Sequence, residues 1–129
     1  MCLDTTFLIA LLRGDSRSIK TLKSLENSGE KICTTAICAY ELLKGAMTSS
    51  KKEKNTRVVQ ELLQTIEPLP FDSSAAIIAA QIYSNLAASG QIVRGLDVLI
   101  AAICLNSNDA LVTSDKGFSR IIGLKTRGF

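Results

Sequence analysis

Met1-Cys2-Leu3-Asp4-Thr5-Thr6-Phe7-Leu8-Ile9-Ala10-Leu11-Leu12 opens the chain, and its reading decides the fold. A short apolar run ends in an aspartate, and an almost unbroken apolar helix pattern follows at once. That succession predicts a buried strand, a capping residue and a buried helix. A strand that feeds directly into a buried helix is the opening of an α/β unit, whose strands form a mostly parallel sheet covered on both faces.

The same grammar recurs downstream. Residues 31–34 read as a strand and residues 35–47 as the helix after it, with Ile37, Tyr40, Leu43 and Met47 on one stripe. Residues 16–27 and 51–66 read as amphipathic helices, the first with a basic outer face. Residues 67–71 hold both prolines, which allows an edge strand at best. Asp72 caps an Ala/Ile-rich helix that runs to about residue 89. Residues 90–96 form a loop, Asp97 opens a helix to residue 105, and residues 110–113 are a strand. A helical turn over residues 116–121 and a strand over residues 124–126 complete the chain. The expected fold class is α/β: a three-layer sandwich with a short, mostly parallel central sheet flanked by helices, in which residues 1–129 form a single domain.

Composition excludes more than it proposes. The chain has no histidine, which removes Ser-His-Asp and Cys-His triads, histidine zinc sites and any imidazole base. A net charge of +3 permits nucleic acid as a partner without demanding it. Basic residues crowd residues 13–57, including Lys51, Lys52, Lys54 and Arg57, and such a run is either a solvated helix face or a phosphate-binding surface. Cys2, Cys33, Cys38 and Cys104 each lie in an apolar segment with no C-x-x-C pair, so buried, reduced thiols and a cytoplasmic location are expected. No secretory signal is expected, because the opening lacks a basic leader, and the apolar run over residues 98–105 is too short to span a bilayer.

Four of the twelve acidic residues stand among apolar neighbours. Asp4 ends the first strand, Glu41 lies inside Ala39-Tyr40-Glu41-Leu42-Leu43, Asp97 lies between Leu96 and Val98, and Asp115 follows Ala110-Leu111-Val112-Thr113-Ser114. Each aspartate is open to two readings, a helix cap or a ligand. Asp72 serves as the control, since capping alone explains it. Glu41 is too deep in its helix to cap anything, so it pairs with a cation such as Lys44 or contributes to a site. Asp4 and Asp115 at strand ends and Asp97 at a helix start point to a shared site, and four carboxylates gathered there with Glu41 would repel one another unless a divalent cation neutralised them. Oxygen donors without imidazole or thiolate favour Mg²⁺ or Mn²⁺ over zinc.

These segments, together with Gly90-Gln91-Ile92-Val93-Arg94-Gly95-Leu96-Asp97-Val98-Leu99-Ile100, resemble the PIN-domain nucleases, and within them the VapC-like toxin branch. The resemblance covers the chain in order and spacing. It implies a PIN-like fold and a metal-dependent ribonuclease with Asp4, Glu41, Asp97 and Asp115 as the acidic quartet that binds Mg²⁺ or Mn²⁺. Thr6 and Thr113 match the family's hydroxyl positions, which orient carboxylates or water. It further implies an RNA substrate, a small antitoxin protein as partner, and a homodimer. Arg13, Lys44, Arg94 and Lys116 then become candidate RNA contacts. Two features depart from the family: Val93-Arg94-Gly95 replaces a small or proline-containing loop, and Lys116-Gly117-Phe118 stands where many relatives carry an aromatic or histidine. Phe118 is expected in the core.

Two alternatives keep the same fold: a catalytically silent PIN-like module that binds RNA or protein, and a housekeeping RNA-processing nuclease. A phosphatase site wants an aspartate where Thr6 stands, and a receiver domain wants an early acidic pair that is missing.

Overall fold

The computed structural model describes all of residues 1–129. The elements run β1 (Cys2–Leu3), α1 (Thr5–Leu12), α2 (Ser16–Asn27), β2 (Cys33–Thr35), α3 (Ala36–Met47), α4 (Lys52–Thr65), β3 (Glu67–Leu69), α5 (Ser73–Ala88), α6 (Gly95–Ser107), β4 (Leu111–Val112), a 3-10 turn (Lys116–Arg120) and β5 (Thr126–Arg127).

All five strands are parallel, in the order β3-β2-β1-β4-β5. Cys2 pairs with Cys33 on one side and with Leu111 on the other, while Leu3 pairs with Val112. The chain therefore builds outward from β1 to β3, then crosses back to lay β4 and β5 on the opposite flank. The winding direction reverses between β1 and β4. In open parallel sheets the crevice outside the carboxyl ends of the strands at such a reversal is where ligands bind.

Alternation along the two-residue β1 sorts the core into layers. Cys2 and Leu111 face one cluster with Ala79, Ile82, Ile100 and Ala101 of α5 and α6. Leu3 and Val112 face the other, with Phe7 and Leu8 of α1, Leu25 of α2, Leu42 of α3 and Val59 of α4. Each fully buried side chain of this size contributes about 1.5–3 kcal/mol of transfer free energy. Phe118 is buried in the first cluster, as expected.

Boundaries moved where local signals compete. The second strand begins at Cys33, and it carries on to Thr35 because residues 33–35 pair with Glu67, Pro68 and Leu69. Thr35 then caps α3, its Oγ1 accepting the Cys38 N–H at 3.0 Å. The proline-containing β3 is an edge strand, paired only with β2. Helix α6 starts at Gly95, two residues before the expected Asp97, so the glycine read as loop is helical. The last strand lies at Thr126–Arg127, where it pairs with Leu111 and Val112. Asn108 closes α6 in the left-handed region at φ 56, a conformation asparagine tolerates better than most residues. No helix is long and apolar enough to cross a membrane.

Candidate active site

The reversal between β1 and β4 carries two of the acids. Asp4 follows β1 and caps α1, its Oδ1 accepting the Phe7 N–H at 2.9 Å and the Thr6 hydroxyl at 2.8 Å. Thr6 also reaches Oδ2 at 3.0 Å. From the end of β4, the Thr113 hydroxyl donates to Asp4 Oδ2 and accepts the Asp115 N–H at 3.0 Å. Asp115 caps the turn after it, accepting the Gly117 N–H at 2.8 Å. Asp4, Thr6, Thr113 and Asp115 are thus one hydrogen-bonded group.

Capping is observed at both of these positions, and it does not by itself exclude a ligand role. A carboxylate has about four lone-pair sites, and a cap uses one of them. Asp72 caps α5 through the Ala75 N–H, as the control required. Asp97 is different. It lies in the first turn of α6, 4% exposed, and caps nothing.

Glu41 projects from the middle of α3 and accepts the Thr5 hydroxyl at 2.8 Å. The pairing with Lys44 that the spacing allowed is not formed; Lys44 Nζ lies over the Tyr40 ring, 5.2 Å from its centroid. The cation that meets Glu41 is Arg94. Its Nη2 is 3.3 Å from Glu41 Oε2 and 2.9 Å from Asp97 Oδ1, and its Nε is 3.2 Å from Asp97 Oδ2. A path of hydrogen bonds and chain neighbours therefore runs Asp115–Thr113–Asp4–Thr5–Glu41–Arg94–Asp97.

Electrostatics single out Asp4. Burial pushes its carboxyl up from the ordinary aspartate value, and the nearby charge of Asp115 adds to the rise. The hydrogen bonds from Thr113, Phe7 and Thr6 oppose that shift without cancelling it. Arg94 is held even more firmly protonated than a free arginine, first by its hydrogen bonds to Asp97 and then by the charges of Asp97 and Glu41.

The donor set suits a hard divalent cation, because every candidate ligand is a carboxylate oxygen. Glu41 and Asp97 already converge on one positive centre, the Arg94 guanidinium. As arranged, no three acidic, histidine or cysteine side chains close around a single point. The donor chemistry fits a metal, and Arg94 stands between Glu41 and Asp97 as their present counter-charge.

Among the candidate RNA contacts, Arg13, Lys44 and Lys116 are exposed. Arg13 and Lys54 line a cleft of about 510 Å³ with Glu41, Ile9, Leu12 and Val58. Sequence reasoning passed over Thr5, although Asp-Thr-Thr offers two hydroxyls beside one carboxylate. It also passed over Ser114, whose hydroxyl is 3.3 Å from Thr6 Oγ1.

Residues 1–124 match the sequence model of the PIN domain. The chain is 31% identical over 125 residues to the tRNA(fMet)-specific endonuclease VapC of Shigella flexneri, covering 96% of this chain and 93% of that protein. Its fold superposes on a chain of VapBC2 from Rickettsia felis, solved bound to a promoter DNA fragment, with a TM-score of 0.91 and 26% identity, covering 99% of this chain and 97% of that one. DNA-bound VapBC from Salmonella typhimurium gives a TM-score of 0.88 at 30% identity, covering 98% of this chain and 96% of that one.

Proposed function

The chain belongs to the PIN domain family, and from that premise we propose that it is a Mg²⁺- or Mn²⁺-dependent endoribonuclease, the toxin of a VapBC-type toxin–antitoxin pair. The observation that carries this reading is the meeting of Asp4, Thr113 and Asp115 at the reversal of the sheet, linked through Thr5 to Glu41, Arg94 and Asp97. The relatives' names supply the substrate class, RNA, and make tRNA the first substrate to try.

Asp4, Asp97 and Asp115, completed by Glu41, would hold the ion. When bound, it supplies a Lewis acid for a phosphodiester oxygen and a water of lowered pKa. The chain's own part is orientation. Thr6 and Thr113 fix both oxygens of Asp4, and Thr5 fixes Glu41. Arg13, Lys44 and Lys116 are placed to meet backbone phosphates from the solvent side. Arg94 joins them only once released from Asp97 and Glu41.

The cleft between Glu41 and α4 has apolar walls with Arg13 and Lys54 at its edge, which suits an antitoxin segment laid across the site. Exposed Phe71 and Tyr83, which line one surface cleft beside α5, support a homodimer. Residues 1–129 act as one nuclease unit, and four free, buried thiols suit the cytoplasm.

The test is cleavage of RNA by the purified protein with Mg²⁺ or Mn²⁺, repeated in excess EDTA and with Asp97→Asn. Cleavage that survives either change refutes the metal site. The ungathered acids favour one second reading, a catalytically silent RNA- or protein-binding module. Folded protein that binds RNA yet gives no heat with Mn²⁺ in calorimetry would select it.

A further inference from the structure

Arg94 holds two acids that come from opposite parts of the chain. Its fork grips both oxygens of Asp97, three residues on, and reaches Glu41, 53 residues earlier. The partners differ sharply in exposure. The side chains of Asp97 and Glu41 are 6% and 12% exposed, whereas that of Arg94 is 64% exposed. The acids are embedded in packed helices, and the guanidinium hangs from a surface loop end with no other side-chain partner. The cation is the party free to leave.

Nothing about α6 needs this arrangement. Arg94 occupies the N-cap position but makes no side-chain cap to the helix. The exposed guanidinium adds little to folding beyond the charge it offers these two acids. What it does is neutralise Asp97 and Glu41, which would otherwise sit side by side as withdrawn anions. Two cations cannot do this at once. A bidentate guanidinium faces both oxygens of Asp97, and its charge repels an incoming dication at hydrogen-bond distance.

We propose that Arg94 is an internal counter-ion that a divalent metal must displace from Asp97 and Glu41, so that this one side chain sets how tightly the site takes its metal. The inference rests on the metal-dependent reading above. It makes the metal-free protein a self-neutralised, closed state, and it converts metal binding into an exchange of one cation for another.

Calorimetric titration of Mn²⁺ into wild type, Arg94→Gln and Arg94→Lys tests it. Arg94→Gln removes both charge and fork and should tighten Mn²⁺ binding about five- to tenfold. Arg94→Lys keeps the charge without the fork and should fall between. In metal-free protein Arg94→Gln should melt below wild type, and the difference should close at saturating Mn²⁺. The Arg94 Nε–H resonance should move to the position of a free, solvated arginine when diamagnetic Mg²⁺ is added.

Equal or weaker Mn²⁺ binding by Arg94→Gln overturns the inference, as does an Nε–H resonance that ignores saturating Mg²⁺. A melting deficit that persists with metal would make Arg94 a structural pin instead. If all variants bind Mn²⁺ equally and cleave RNA, the Arg94 inference falls alone. If none binds Mn²⁺, the metal-dependent reading falls with it.

Discussion

The hydroxyl of Thr113 donates to Oδ2 of Asp4, which ties the end of β4 to the carboxylate that follows β1. The Thr113 hydroxyl oxygen also accepts the backbone N–H of Asp115, so this one side chain fixes the relative positions of two acids 111 residues apart in the chain (4 and 115). Thr113→Val should therefore lower RNA cleavage about 10–100-fold, the usual effect of removing a group that orients a metal ligand. Thr113→Ser should restore most of it. Melting curves on the same proteins separate this from unfolding, since loss of one buried hydrogen bond costs only about 1–3 kcal/mol.

Asp4 should make the metal-free protein less stable as pH rises. Burial raises its folded-state pKa, so the native chain keeps this proton to higher pH than the unfolded chain does. Stability linked to the proton is complete below the ordinary value of 3.8 and is lost as pH climbs through the raised value. Asp4→Asn, which retains a capping oxygen, should abolish that loss. In urea titrations without metal it should unfold later than wild type at neutral pH and converge with it in acid, while cleaving no RNA. A wild-type midpoint no lower than that of Asp4→Asn at pH 7 refutes the account.

Phe118 is 2% exposed and sits in the cluster formed with α5 and α6. Phe118→Ala should destabilise the protein by about 3–5 kcal/mol, read from chemical denaturation. Phe118→Leu should cost much less, because it conserves most of the buried volume.

Tyr83 is 69% exposed on α5 and lines a surface cleft with Phe71. If this face joins two copies, Tyr83→Asp should shift sedimentation from dimer to monomer without changing the melting of the isolated protomer. A protein that sediments as a monomer before any substitution rules the face out.

Much of this was legible in the sequence because the signals were local. Apolar periodicity placed α2 at its observed ends, and Asp-Thr-Thr marked both the end of β1 and the cap of α1. Prolines placed β3 at the sheet edge. The start of α6 was misplaced because Gly95 carries a loop signal that tertiary packing of Leu96 and Val98 overrides. Arg94 was legible as a basic residue near Asp97 and no more. Which acids a long, flexible side chain reaches depends on how α3 and α6 meet, and no spacing within one segment records that. The same holds for Thr5, whose partner Glu41 lies on another helix.

The carboxylates at positions 4, 41, 97 and 115 are supplied by four separate segments, and the last lies close to the final strand. No fragment of the chain short of residue 115 contains the full set. During translation the growing polypeptide therefore carries an incomplete centre until nearly all of it has been made. On the proposed reading of these four acids as the catalytic set, a chain terminated or frameshifted before residue 115 should be inert, so only copies extended past that residue would carry the chemistry.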